Sequence, residues 1–255
     1  MLAVSNDMTN RRTIISALLL SPLLASAASD ASSQQVIRIP LRFHIGSDLV
    51  VSKDGQLLTA WVKAEDVIGT LVPEVNRIWH QAGIEFAVER VVSASSQQLP
   101  NRSQLLENIG AAHRDEAGHA DPRVVQWYRE LLDFSAESDS SVNIHFVPYL
   151  GETSQGVAIP GRRRVLVGEW SDKMSRARQA PRQVKLAEEE PFREGSLGRT
   201  LAHELGHILG LKHPSRDQSS GPDRLMGGGR PGYHLTEEEI ATARSATLER
   251  RGRRR

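Results

Sequence analysis

The chain has 255 residues, 39% of them apolar and 25% charged, with a formal net charge of +1. Those values belong to a globular chain long enough for one large domain or two small ones, and so balanced a charge leaves no global field drawing it to nucleic acid or anionic lipid. With no cysteine, disulfides, thiolate catalysis and thiolate metal ligands are all excluded.

Residues 1–28 read as an export signal. Arg11 and Arg12 precede the apolar run "TIISALLLSPLLASA", which closes on small residues around Ala25–Ala28. The run is short for a bilayer span and Pro22 interrupts it. The expectation is cleavage near Ala27 or Ala28 and a bacterial chain, periplasmic or secreted, with no membrane anchor once the signal is removed. The pair in "NRRTII" also fits a twin-arginine signal, and the ordinary secretory route stands beside it.

"VIRIPLRFHI" (36–45) alternates with period two, so it is expected to be a strand with one buried face. His44 falls on the polar face and is expected to be solvated. Residues 64–82 change to helical period, with Val67, Ile68, Leu71, Val72, Val75, Ile78, Trp79 and Ala82 in one apolar stripe. Pro73 should kink this helix or restart it, and Gly83 should end it. A second strand follows over 84–92.

Residues 93–141 are polar and read as a partly helical insertion, with Asp121 as a cap and Pro122 at the first helical position. His113 and His119 fall here at a spacing that suits no helical metal pair, and are expected on the surface. "VNIHFVPY" (142–149) is a third strand. "GVAIPGRRRVLVGEW" (156–170) gives one or two more around a Pro160-Gly161 turn, and Arg162, Arg163 and Arg164 are expected to be a solvated edge. Residues 171–195 read as loop. Thr236 and Glu239 form a capping box for a last helix, flanked by a Leu235–Ile240 staple. The basic end, 251–255, is expected to be a disordered tail.

The chemistry concentrates in "TLAHELGHILGLKH" (200–213). Ser196 can cap a helix whose Leu197, Leu201, Leu205, Ile208 and Leu209 are buried. Positions four apart then share a face, so His203 and His207 both aim an imidazole at one point. Zinc takes about four ligands, and His213 lies too far along a continuing helix to join. Gly210 permits a positive φ that turns the chain back and brings His213 in as the third ligand. Three neutral ligands leave a water position open, and a metal lowers the pKa of that water toward ~7. Glu204, beside His203, is the expected general base and then proton donor to the leaving amine.

The string "HELGHILGLKH" resembles the H-E-x-x-H-x-x-G-x-x-H signature of the metzincin zinc peptidases, and the end "LM…HLTEEEIATAR" is similar to bacterial matrixin-like members. The resemblance implies an α+β fold: a mixed five-stranded twisted sheet over an active-site helix, with a C-terminal subdomain ending in a helix, over residues 36–250. It implies Zn2+ on His203, His207 and His213, Glu204 as catalytic base, Gly210 as the turning residue, and Met226 as the floor beneath the metal. It implies a zinc endopeptidase, acting as a monomer, that binds a protein or peptide substrate in extended form along an antiparallel edge strand within 156–168. The sequence departs from that pattern in three ways. Thirteen residues separate His213 from Met226, a longer gap than in typical matrixins. No cysteine exists to silence a precursor. Gly227–Gly229 stand where some members carry a metal-approaching tyrosine, leaving Tyr233 as a distant substitute. A zinc-containing binding module without turnover, and an amidase acting on cell-wall peptides, are the competing readings.

Overall fold

The computed structural model describes residues 35–46, 48–112, 121–152, 155–172, 180–187, 195–214, 223–227 and 232–252. The export signal read at 1–28, His113, His119, Gly228, Gly229 and the last three residues lie outside the described residues.

Strand β1 (Ile37–Gly46) lies second from one edge of a sheet ordered β4-β1-β5-β7-β6, where β4 is Ile84–Ala94, β5 Val142–Tyr149, β7 Arg164–Ser171 and β6 Gly156–Ile159. Neighbours from β4 to β7 run parallel, and β6 runs antiparallel to β7. A two-residue strand β8 (Arg182–Gln183) also pairs with β7, so the sheet has six strands rather than the expected five. The turn between β6 and β7 is Pro160–Arg162 in 3-10 form, closed by Arg163 in the left-handed region. A separate hairpin joins β2 (Val50–Lys53) and β3 (Gln56–Thr59).

The helical stripe at 64–82 is broken where Pro73 requires it. Helix α1 (Ala64–Asp66) passes into a π-helical turn, Val67–Leu71, before α2 (Val72–Trp79) and a 3-10 turn, His80–Ala82. Proline lacks the N–H that an unbroken α-helix would use at that place. The wider turn rotates Ile68 off the stripe, leaving it exposed instead of buried. Gly83 ends the run at φ +60.

Two apolar layers enclose the sheet. On one face Leu41, Phe43, Ile144 and Phe146 pack with Val75, Ile78 and Trp79 of α2 and with Leu201, Leu205 and Ile208 of the site helix α5 (Leu197–Ile208). On the other, Val147, Tyr149 and Leu166 meet the β2–β3 hairpin, α3 (Arg102–Ala111) and α4 (Arg123–Leu131). A strand covered on both faces cannot show clean alternation, and β5 is buried at every position.

That second layer overturns two expectations. His44 is buried, not solvated: its ring stacks on His145 at 4.2 Å, with Nε2 3.3 Å from Asn143 Oδ1. Arg164, expected at a solvated edge, is buried too. It forks onto Glu137 through Nε and Nη2 at 2.6 and 2.7 Å and lies 3.4 Å over the Phe134 ring. Both corrections have one cause: the chain leading from α4 into β5 folds over the polar face of β1, where Arg42 donates to Ala136 O and Glu137 accepts from Arg164 and meets His145. Arg162 remains exposed.

Burial first, then the neighbouring His145 ring and Arg42, lowers the pKa of His44 to about 4, against the opposing pull of Asn143 and Glu137. Burial likewise lowers His145. Burial raises the Glu137 carboxyl, but its bonds from Arg164 and His145 outweigh that and bring it to about 2. An unfolded histidine takes up a proton near 6.5, which the folded His44 refuses until about 4. The stability this ring contributes is full above pH 6.5, falls across that window and is gone by pH 4, a loss of about 3 kcal/mol. Urea unfolding between pH 7 and 4 should show the decline, and His44→Gln should flatten it. Equal slopes in both proteins would contradict the assignment.

Helix α6 (Glu237–Gly252) closes the described chain and runs two residues into the segment expected to be a disordered tail. The Thr236 amide donates to Glu239 Oε2 at 2.8 Å, and the Glu239 amide to Thr236 Oγ1 at 3.2 Å, the reciprocal pair of a capping box.

Candidate metal centre

Helix α5 is fixed at its start by a carboxylate that sequence spacing does not reveal. Ser196 Oγ accepts from the Arg199 amide at 2.9 Å and lies 2.9 Å from both oxygens of Glu74, to which it donates. Glu74 comes from α2 and is buried. The negative charge sits beside the helix N-terminus, where the peptide dipoles favour it. Midway, Trp79 Nε1 donates to Ala202 O at 3.1 Å. No regular interval ties residue 74 to residue 196, so only the fold could expose this contact.

The helix ends as its glycine demands. Gly210 has φ +91, its amide donates to His207 O at 3.1 Å, and the Leu211 amide donates to Gly206 O at 2.9 Å. This pair of bonds is a Schellman stop. It turns the chain so that Leu211 O accepts from His207 Nδ1 at 2.9 Å. Two residues on, His213 Nε2 stands 2.9 Å from His203 Nε2 and 3.2 Å from His207 Nε2. The three ligand nitrogens lie within 4.8 Å of one another and could hold a metal ion.

The donor set fits zinc. Two nitrogens each 2.0–2.1 Å from one ion at the tetrahedral angle stand about 3.3 Å apart, close to the separations seen. His203 Nδ1 donates to Leu225 O at 2.7 Å, and His207 Nδ1 to Leu211 O. Each bond places the ring proton on Nδ1 and leaves the Nε2 lone pair free to face the ion. Burial first, with Arg199 and the two neighbouring imidazoles adding to it against the Leu225 bond, lowers the His203 pKa to about 3. That ring is neutral, as a ligand must be.

Met226 is fully buried beneath the helix. A Cβ added to Gly206 would come 2.6 Å from its Sδ, so the thioether packs directly against the helix backbone at Gly206. The segment holding it is tied in from three sides. Arg199 Nη2 donates to Leu225 O, the Leu225 amide to His234 O, and Arg224 to Glu239 of α6. Tyr233 is half-buried, its ring 4.4 Å from that of His234. Glu204 is buried, with its carboxylate against Gly156 at the start of edge strand β6. Thus His203, His207 and His213 converge on one point and Gly210 makes the turn that brings in the third, while Glu204 is buried on the same helix and Met226 is buried against it at Gly206.

A second buried carboxylate, Glu169 on β7, also escaped the sequence reading. Its Oε2 accepts the amides of Trp61 and Val62. Burial raises its pKa to about 7 against those two bonds.

No protein-family model matches this chain, and no curated protein does. Among solved structures, a zinc-dependent peptidase from Methanocorpusculum labreanum is similar at a TM-score of 0.32 and 12% identity, covering 82% of this chain and 99% of that one. A likeness of that size does not bear on function, and the local geometry stands on its own.

Proposed function

We propose that the chain is an exported zinc-dependent endopeptidase of the metzincin type, close to the bacterial matrixins. The observation that supports this most is the convergence of three Nε2 atoms around the helix that carries the buried Glu204, whose side chain packs against Gly156 of edge strand β6. A binding module needs the imidazoles but has no use for Glu204.

His203, His207 and His213 would hold the ion, and Leu225 and Leu211 keep the first two rings in the ligating tautomer. A bound zinc ion supplies Lewis acidity and acidifies water. Glu204 accepts the proton of the attacking water at a carboxylate oxygen and delivers it to the leaving amine nitrogen. The side chain is buried on the helix and packs against Gly156, which restricts its alignment before substrate arrives. Strand β6 pairs with β7 along one side only among the described residues. Its other side offers main-chain groups to an extended protein or peptide substrate, antiparallel strand addition of the usual kind. The enzyme would work as a monomer in the periplasm or outside the cell, after loss of residues 1–28.

A peptide-library digest with the purified chain tests this reading. Cuts that vanish on chelation, return with zinc and are missing with Glu204→Gln support it. A zinc-loaded chain that cuts nothing overturns it.

A further inference from the structure

Gly156 opens β6, and a Cβ built there would lie 2.6 Å from Cγ, 2.8 Å from Oε1 and 2.9 Å from Cδ of Glu204. Those separations are shorter than real contacts allow. Gly156 is not among the residues with positive φ, so its backbone would suit other residues; what the position requires is space.

Neither backbone can give way. Gly156 is in register with Val167, and the Gly168 amide donates to Gln155 O at 2.8 Å, so the start of β6 is held to a buried strand. On the helix side Leu201, Leu205 and Ile208 are fully buried. The part free to move is the end of the Glu204 side chain. A methyl group at 156 would therefore leave the fold intact and rotate the carboxylate away from its place against β6.

We propose that Gly156 is a positioning residue for Glu204: the missing side chain keeps open a slot between edge strand and site helix in which the base is held. This rests on the reading of Glu204 as the base. It also accounts for the smallest residue at the start of the edge strand, where the Glu204 side chain approaches.

The test compares the full mature chain with Gly156→Ala, Glu204→Ala and the double variant. The expected Gly156→Ala protein keeps wild-type zinc content and melting temperature. Its crystal structure shows the Glu204 carboxylate displaced. Its kcat on a peptide falls about 100-fold, the usual loss for a misplacement near 1 Å, while KM stays within about twofold. In the Glu204→Ala background the glycine substitution adds no further loss. The proposal is overturned if the carboxylate keeps its place, or if Gly156→Ala costs as much with Glu204 absent. Should Gly156→Ala melt early, recovery in the double variant supports the clash with Glu204 and no recovery overturns it. A wild-type chain that cuts no peptide, with Glu204 still displaced in the variant crystal, ends the peptidase reading and leaves the positioning role standing.

Discussion

Glu204→Gln is expected to lower kcat/KM by about 10²–10⁴-fold, the range that positioned general acid–base catalysis contributes, with zinc content unchanged. Glutamine has nearly the same shape, so it can occupy the slot under Gly156 without altering the helix. Its amide cannot take up the proton that the attacking water must lose. Glu204 is not one of the three convergent donors, so metal retention does not depend on its charge. Because the base acts in the transition state rather than in the bound ground state, the loss should fall on kcat, with KM little changed. Stopped assays at saturating peptide, beside metal analysis of the same sample, separate the two quantities. Undiminished turnover would assign the proton transfer to another group.

His213→Ala should produce the complementary pattern. Two imidazoles would remain, both on one helix face, and the third side of the site would be open. The expected loss of zinc affinity exceeds the 10–100-fold typical of removing a partner that only orients a ligand. His213 is exposed, whereas His203 is buried, so the metal-free fold should be nearly unaffected, within about 0.5 kcal/mol. Added zinc should raise the melting temperature of the wild type, since a ligand that binds only the folded chain stabilises it by about 4 kcal/mol at a thousand times its dissociation constant. The variant should show no such rise at the same zinc concentration. Equal rises in both would remove His213 from the ligand set.

The histidine cluster was legible because His203 and His207 share one helix and His213 follows directly after its stop. Spacing of four on a helix, a glycine at the stop and a histidine beyond it are local instructions, and Gly210 carries them out with φ +91. The same holds for the Thr236–Glu239 box. What spacing could not supply were contacts between distant segments. Glu74 meets Ser196 across 122 positions, and Gly156 meets Glu204 through two elements that no repeat connects. The second face of the sheet was misread for a related reason. Arg38, Arg42 and His44 form a polar stripe in sequence, which indicates water only if nothing folds over it. Here the chain running from α4 into β5 does so over Arg42 and His44, with Ala136 O accepting from Arg42 and Asn143 Oδ1 meeting His44, while Arg38 stays exposed beside Glu85. Polar covering layers carry no hydrophobic period, so pattern reading passes over them.

X-ray absorption at the zinc edge of the purified chain tests the central claim most directly. Convergence of His203, His207 and His213 predicts three imidazole nitrogens at about 2.0–2.1 Å with one oxygen completing the shell, and a zinc signal in His213→Ala that is lost or, when zinc is forced in at high concentration, shows two imidazoles. A wild-type spectrum with two or fewer imidazoles, or one that His213→Ala leaves unaltered, would contradict it.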